Sequence, residues 1–310
     1  MNNNQTSKQP ASFRDATGPI DITLRNDMLF HLVMQRSNKA LKGLVCALKG
    51  LNPNTVKEVL LTNPINYSEY ANKEIILDVK VILEKNEIID IELQLYKDLY
   101  WEGRSLLYLC RSFDNLHVGE KYHLLKPTTL IVITDIDQFP DYPEFYSHYS
   151  FLNIKNFHPY SSMLGINVLY LNHTDLATDE DKANNLVYWA ELFRVNTWEE
   201  LKALSTHDSA FEEVATVMYN SNIQSEEKTI LEAHQRFLDL QHAHYLNGVN
   251  DGKKESAETI EALTTEVNTL NTEVNTLNTE VNTLNAEVNT LNAENERLKK
   301  LLSQAGISAE

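Results

Sequence analysis

The sequence predicts an α/β fold, a mixed sheet flanked by helices, followed by a long C-terminal helix that forms a parallel coiled coil. Three observations lead to this prediction. The stretch "LDVKVILEKNEIIDIELQL" (77–95) alternates apolar and polar residues on both sides of a polar turn, which is typical of a β-hairpin. "TTLIVITDI" (128–136) is a continuous apolar run of strand length, as expected of a central strand covered on both faces. From residue 260 onward the pattern repeats every seven residues.

Composition and charge limit the class of protein. Apolar residues make up 42% of the 310 positions, enough for a normal core. Cys46 and Cys110 lie far apart, which favours a reducing compartment over a disulfide framework. The N-terminus lacks an apolar signal core, and no apolar run is long enough to cross a bilayer, so we expect a cytoplasmic protein without membrane contact.

The net charge of −17 counts against nucleic-acid binding through bulk electrostatics. A DNA contact would have to come from a local basic patch, or from metal ions that neutralise a group of carboxylates. The alternative is a protein that never touches nucleic acid, and the charge alone leaves both open.

Five segments follow from the composition along the chain. We expect a polar, disordered N-terminal segment (1–20), an α/β domain (21–224), a helical connector (225–259), a heptad coiled coil (260–302) and a short tail (303–310).

Within the α/β domain, helical spacing and strand patterns alternate. Helices are predicted at 24–35, 38–51, 181–193, 197–204 and 209–219, with Asp181 and Thr197 as caps, and further strands at 145–154 and 164–172. Residues 99–116 read as an amphipathic helix with its apolar stripe formed by Leu106, Leu109, Phe113 and Leu116.

The heptad segment has a regular apolar seam. One seam position, a, is occupied by Ile260, Val267, Val274, Val281, Val288, Asn295 and Leu302, and the other, d, by Leu263, Leu270, Leu277, Leu284, Leu291 and Leu298. A β-branched residue at a with leucine at d favours a parallel two-stranded coiled coil, and a single asparagine at a fixes the register. Five glutamates fall at position g, where antiparallel pairing would set them against each other: Glu266, Glu273, Glu280, Glu287 and Glu294. We therefore expect parallel self-association, with a dimer favoured over a trimer.

Acidic side chains interrupt the hairpin. Asp90, Glu92 and Gln94 share one face of the second strand, and Asp78 shares a face with Lys80 on the first. Neighbouring strands can bring Asp78 and Glu92 together, and two such carboxylates repel unless a proton or cation lies between them. Mg²⁺ takes oxygen ligands of this kind, so a divalent-cation site is one interpretation. The other is a solvated face opposite the apolar residues, which the alternation by itself favours.

The next helix carries a polar stripe of Arg104, Tyr108 and Arg111. If the helix packs on the hairpin, the stripe faces the carboxylates, and arginine forks match phosphate oxygens. An exposed stripe paired with Glu102 or Asp114 is the alternative.

These residues, taken in order, resemble the PD-(D/E)XK nuclease family transposases, also called recombination-promoting nucleases. The resemblance rests on Asp78, "IELQ" with Glu92 and Gln94, Arg104 and Tyr108 in a helix, and "GEKYHLLKPTTLIVITD". It is extended by "LRNDMLFHLVM", with Asp27 and Phe30, and by "YLNGVNDGKK". It covers roughly residues 21–255, which leaves the coiled coil outside.

The resemblance implies a restriction-endonuclease-like core and metal-dependent cleavage of DNA. It implies Asp78 and Glu92 as ligands of Mg²⁺ or another divalent cation, with Asp27, Arg104 and Tyr108 as supporting residues. Gln94 stands where the wider superfamily has lysine, and Lys80 can partly substitute for that cation. Leu77 replaces a proline that has no chemical role.

The leading hypothesis is therefore a Mg²⁺-dependent DNA endonuclease that acts as a coiled-coil dimer. The rival is a catalytically degenerate nuclease fold that serves as an assembly or regulatory module, which the acidic charge and Gln94 favour. A third hypothesis is a metal-dependent phosphohydrolase acting on RNA or nucleotides.

Overall fold

A six-stranded mixed sheet forms the centre of the protein. The computed structural model describes residues 12–64, 78–84 and 86–306. The strands are β1 (Val59–Leu61), β2 (Val79–Leu83), β3 (Glu87–Gln94), β4 (Thr128–Thr134), β5 (Tyr146–Leu152) and β6 (Pro159–Tyr170). Their order is β1-β2-β3-β4-β6-β5, with β3, β4 and β6 parallel to one another and the outer strands antiparallel to their neighbours. The predicted mixed sheet is confirmed, while β1 was not foreseen.

The helices that accompany the sheet are α1 (Asp27–Arg36), α2 (Asn38–Lys49), α3 (Trp101–Phe113), α4 (Asp179–Ala183), α5 (Leu186–Arg194), α6 (Trp198–Ser205), α7 (Ser209–Ile223) and α8 (Ser225–Gln304). The helix predicted at 181–193 is split into α4 and α5, because Asn185 adopts a left-handed conformation with φ of 63°. Thr197 caps α6 as predicted. The cap of α4 is Thr178, and Asp181 is its capping-box partner rather than the cap itself.

Two apolar layers enclose the sheet. The larger layer joins α1, α2 and α5–α7 to one sheet face, where Val79, Val81, Ile89 and Ile91 are buried. The smaller layer lies under α3 on the opposite face and contains Trp101, Leu109, Leu130, Val132, Val168 and Tyr170. Strands β3 and β4 are therefore covered on both sides, as "TTLIVIT" predicted for β4.

Helix α3 packs differently from the prediction. Its buried residues are Trp101, Ser105, Leu109 and Ser112, whereas Leu106 is 50% exposed and Leu116 lies beyond the end of the helix. The predicted apolar stripe is wrong because α3 turns its small and polar residues toward β3, whose facing side chains are themselves polar.

The segment boundaries also change. Phe13, Ala16 and Ile20 are buried, and Pro19 forms a β-bridge with Thr197, so the predicted disorder is wrong for residues 12–20. Residues 1–11 lie outside the described part, as do Leu77 and the 307–310 end of the predicted tail. The chain divides into two compact units, one that extends to Asp239 and a second that comprises residues 240–310.

The second unit is the helical continuation that carries the heptads. Its seam residues are exposed in the single chain, with Val267 at 54% and Leu270 at 51%. In the described ranges, no helix is sufficiently long and apolar to span a membrane.

Candidate active site

The candidate site is built on the hairpin of β2 and β3. Asp78 directly precedes β2, and the antiparallel register pairs Val79 with Ile91 and Lys80 with Asp90. Continuing this register by one residue sets Asp78 beside Glu92. The two strands therefore bring together the acids that the sequence placed on separate strands.

Burial distinguishes these acids from a solvated strand face. Asp90 and Glu92 are each 7% exposed and Gln94 is 8% exposed, because α3 covers this side of β3. The solvated-face interpretation that the alternation favoured is wrong. Buried carboxylates are costly unless paired, hydrogen-bonded, protonated or bound to a cation, so the surroundings of each group matter.

The surroundings raise the pKa of each of the three acids. Burial, with the negative charges of Asp90 and Glu92, raises the pKa of Asp78 to about 7, while Arg104 opposes this shift. Burial also raises the pKa of Asp90, against a hydrogen bond from Ser112, and the pKa of Glu92, against the charge of Arg104. Asp78, Asp90 and Glu92 thus lie close together, with too little positive charge nearby to balance all three carboxylates.

Arg104 forms an ion pair with Glu92. Its Nη2 lies 2.7 Å from Glu92 Oε1 and also donates to the side-chain oxygen of Gln94, while Nη1 lies 3.0 Å from Asp98 Oδ2. The guanidinium carbon is 5.8 Å from the ring centre of Tyr108. Arg104 therefore fixes the end of the site formed by Glu92 and Gln94. Arg111, from the same predicted stripe, is exposed.

A second set of hydrogen bonds fixes the other end of the site, at Asp90 and Lys80. The Ser112 hydroxyl donates to Asp90 Oδ2 at 2.6 Å, and Lys80 Nζ donates to Ser112 Oγ at 3.2 Å. Lys80 is thus directed toward Asp90, and it lies on the same side of the sheet as the other polar groups. Gln94 instead donates its amide to the carbonyl of Tyr96. Lys80 rather than Gln94 supplies a positive charge here.

Two oxygens in the site have no hydrogen-bond donor within the described residues. They are Asp90 Oδ1 and Glu92 Oε2, and both are buried. Oxygens of this kind are the ligands that Mg²⁺ takes from proteins, usually one or two carboxylates with water completing the shell. The donor set therefore fits a divalent cation. Over the described ranges, no group of three or more histidine, cysteine, aspartate or glutamate side chains is arranged to hold a metal ion.

Asp27 lies at the edge of the site and connects it to the start of α8. Its charge contributes to the raised pKa of Asp78, and its Oδ1 lies 2.5 Å from His234 Nε2. The adjacent Asn26 caps α1 and donates to Gln235 Oε1 at 3.1 Å. The first turns of α8 are therefore fastened beside the acids.

The structure brings together the predicted residues Asp78, Lys80, Glu92, Gln94, Arg104 and Tyr108, with Asp27 beside them. Prediction placed Asp90 on the strand face of Glu92 without assigning it to the site, and it missed Ser112, Asp98 and His234. Ser112 could have been found, because it continues the 104–108 spacing by one more turn. His234 is 207 residues from its partner and gave no local signal.

Comparison with known proteins gives one match. A family model described as PD-(D/E)XK nuclease family transposase matches residues 24–245, which is most of the chain. No curated protein and no solved structure matches the chain.

Proposed function

Because the chain belongs to the PD-(D/E)XK nuclease family transposases, we propose that it is an endonuclease that hydrolyses DNA phosphodiester bonds with a divalent cation, Mg²⁺ above all. The observation that carries the proposal is the pair of buried, donor-free oxygens on Asp90 and Glu92, next to Asp78 with its raised pKa. An apolar side chain would be cheaper to bury, so this arrangement is costly unless a proton or a cation neutralises the acids.

Each residue of the site has a proposed role that follows from its position. Asp78 and Glu92 are the proposed cation ligands, and Asp90 lies on the same face of β3 as Glu92, with one oxygen that accepts no hydrogen bond within the described residues. A bound divalent cation would polarise a phosphoryl oxygen and lower the pKa of a coordinated water. Arg104 holds Glu92 in place and screens its charge, and Tyr108 packs against the guanidinium.

Lys80 is the proposed cationic group that faces the phosphate. Ser112 holds its ammonium through the 3.2 Å contact, and the stem of Lys80 lies on the strand next to Asp90. A positioned ammonium stabilises charge that develops on phosphate oxygens. Gln94 is occupied by Arg104 and the Tyr96 carbonyl, so its role is to support the site.

Self-association is the second part of the proposal. The exposed heptad seam of α8 pairs with a second chain as a parallel coiled coil, with a dimer preferred. Two cores on one rod would set two sites near one duplex, and the higher effective concentration would offset an acidic surface. DNA is the proposed substrate of both cores.

A plasmid assay tests the assignment. Purified protein with Mg²⁺ should nick supercoiled plasmid, whereas Asp78→Asn and Glu92→Gln should reduce nicking to the level without metal. Glu191→Gln serves as the matched control, because Glu191 is an exposed carboxylate on α5. Equal nicking by the site variants and the wild type would refute the proposed site.

One observation favours the rival function, a degenerate nuclease fold acting as a regulatory module. Arg104 lies 2.7 Å from Glu92, so a protein cation already balances part of the charge that a metal would balance. Calorimetric titration with Mg²⁺ and Mn²⁺ discriminates between the two. A nuclease gives binding that Asp78→Asn removes, while the regulatory module gives no binding that depends on Asp78.

A further inference from the structure

A cleft with aromatic walls lies at the C-terminal end of α3. Its volume is about 470 Å³, within the range of pockets that bind small ligands. We call it the aromatic cleft and define it by six residues of its walls: Phe113, Tyr122, Leu125, Phe151, Tyr160 and Leu164. Tyr122 is 86% exposed, Tyr160 87% and Phe151 49%, so three rings of the cleft are accessible to a ligand.

An irregularity in the pairing of β5 and β6 lies at the cleft. The pairing is regular as far as Ser150 and Gly165. Phe151 then pairs with Ser161, so the register skips residues 162–164 of β6. The skipped residues include two that line the cleft. Bulges of this kind redirect side chains and are frequent beside functional sites, and here regular strand pairing is interrupted where the cleft forms.

The aromatic cleft lies on the same face of the sheet as the buried acids. The parallel registers of β3, β4 and β6 place Ile166 two strands away from Asp90. Leu164 follows on the same face, so strand spacing and rise set the Cα atoms of Asp90 and Leu164 about 12 Å apart. In addition, Phe113 directly follows Ser112, whose hydroxyl donates to Asp90. The cleft is therefore within reach of the nucleotides next to a phosphate bound at the candidate site.

Negative charge is scarce around this cleft, although the whole chain carries a net charge of −17. Residues 145–174, which form β5, β6 and their turn, contain no aspartate or glutamate, and the turn carries Lys155. In the opposite wall, residues 113–126, two acids are balanced by Lys121 and Lys126. A polyanion therefore meets less repulsion at the cleft than the net charge of the protein suggests.

Exposed rings and scarce negative charge together fit the unpaired bases of a nucleic acid strand. Bases stack on tyrosine and phenylalanine rings whatever their sequence, and the phosphates that accompany them favour walls with few acids. A protein surface could cover the rings as well, but it would not account for the scarcity of acids beside a candidate nuclease site. The charge therefore selects the nucleic acid strand as the occupant.

We propose that the aromatic cleft binds unpaired bases of the DNA strand next to the phosphodiester at the candidate site. This inference rests on the proposed function, since DNA is the substrate proposed there, and it narrows the substrate to DNA with a single-stranded stretch. Tyr160 and Phe151 of the hairpin and Tyr122 of the loop before β4 supply the stacking faces. A duplex without unpaired bases leaves these rings unoccupied.

Binding of short oligonucleotides tests the cleft in the full-length protein without any cleavage. Fluorescence anisotropy in EDTA follows a labelled oligothymidylate of about 16 nucleotides, a length that single-strand sites span. Tyr160→Ala and Phe151→Ala should each weaken binding by about 5- to 100-fold, the usual effect of losing one stacked ring. Tyr160→Phe keeps the ring and should bind within about twofold of the wild type. The melting temperature of each variant shows that it is folded.

Two controls separate stacking in the cleft from other effects. Tyr142→Ala removes a tyrosine that is 78% exposed outside the cleft, and this variant should bind like the wild type. An abasic strand of the same length keeps the phosphates without the bases, so its weaker binding should not change in Tyr160→Ala. Wild-type affinity of Tyr160→Ala for oligothymidylate would overturn the inference and leave the cleft as a protein-docking surface.

A photochemical cross-link locates the strand on the protein. An oligothymidylate that carries 5-iodouracil in place of thymine forms covalent adducts with nearby aromatic side chains on irradiation, and mass spectrometry identifies the modified residues. The adducts should lie on Tyr122, Phe151 or Tyr160. Adducts confined to residues outside the cleft would contradict the assignment.

Plasmid nicking is measured on the same proteins, so that the cleft and the catalytic assignment fail separately. Oligothymidylate binding that depends on Tyr160, without any metal-dependent nicking, retains the cleft and rejects the catalytic assignment. Metal-dependent nicking, with oligothymidylate binding that does not depend on Tyr160 or Phe151, retains the nuclease and rejects the cleft.

Discussion

The guanidinium of Arg104 lies 2.7 Å from Glu92 Oε1, and this contact neutralises part of the charge of an otherwise buried carboxylate. The two residues come from α3 and β3, so the contact also fastens the helix to the sheet. Arg104 is 30% exposed at its side chain and Glu92 9%, which leaves the pair only partly screened by water.

Replacing Arg104 should therefore destabilise the metal-free protein, and a bound cation should restore part of the lost stability. We expect Arg104→Ala to lower the free energy of unfolding by about 2 kcal/mol in the absence of metal, because Glu92 loses a charged donor. Mg²⁺ should recover part of that loss. Urea unfolding followed by tryptophan fluorescence measures it, since Trp101, Trp189 and Trp198 are all buried in the first unit.

The matched control is Arg236→Ala, which removes an exposed arginine whose contact with Glu232 is 3.8 Å long. It should change the free energy of unfolding by only a few tenths of a kcal/mol. An equal effect of the two substitutions would show that the Arg104–Glu92 contact stabilises the fold no more than an exposed ion pair does.

The raised pKa of Asp78 predicts a pH-dependent stability in metal-free protein. The folded protein holds the Asp78 proton up to about pH 7, whereas the unfolded chain releases it near 3.8. The folded state thus binds more protons between these values, and stability declines as pH rises through this window. Asp78→Asn removes that decline, so its melting temperature relative to the wild type should increase from pH 5 to pH 8 in EDTA.

Glu191→Gln again provides the comparison, because its carboxylate is exposed. Its melting temperature relative to the wild type should stay constant over the same range. A constant offset for Asp78→Asn as well would mean that Asp78 ionises normally in the folded protein.

Lys80 should matter for catalysis more than for folding. Lys80→Met keeps the length of the side chain and removes its charge, and we expect the nicking rate to drop by about 100-fold, the usual effect of losing one donor to developing oxyanion charge. Lys121→Met, at an exposed position in the loop after α3, should leave the rate unchanged. A similar drop in both variants would point to loss of general DNA attraction.

The exposed seam of α8 predicts a mass of twice 35.5 kDa in solution. The paired substitution Leu270→Lys/Leu277→Lys puts charge at two d positions and should give a monomer by light scattering. Thr272→Lys/Thr279→Lys, at outward heptad positions, should remain dimeric. A monomeric wild type would exclude the coiled coil.

Sequence patterns predicted the hairpin and the central strand because local alternation and apolar runs are enough to define strands. They did not predict that Asp90 and Glu92 are buried. Acids that alternate with isoleucines give the same sequence pattern whether the polar face of the strand is exposed to water or covered by a helix. In this protein the face is covered, because Ser105 and Ser112 of α3 are buried against it. The buried side of α3 was missed for the same reason, since serine does not signal a core.

Long-range contacts limited the prediction of the site in a second way. Asp27 was included only through family resemblance, and its contact with His234 joins positions 207 residues apart. No local rule connects the two. The ordered set of Asp78, Glu92, Gln94 and Arg104 was recoverable because the hairpin and the following helix are close in sequence.

Helix α3 contacts Glu92 and Asp90 on one side and leaves Leu106 and Leu107 exposed on the other. A helix moves largely as one body, so a ligand that displaces Arg104 on the inner side also shifts the leucines outside. Under the proposed function, a cation that binds at Glu92 would therefore act on the whole helix, and a fluorescent label on the exposed side of α3 would report whether the buried site is occupied.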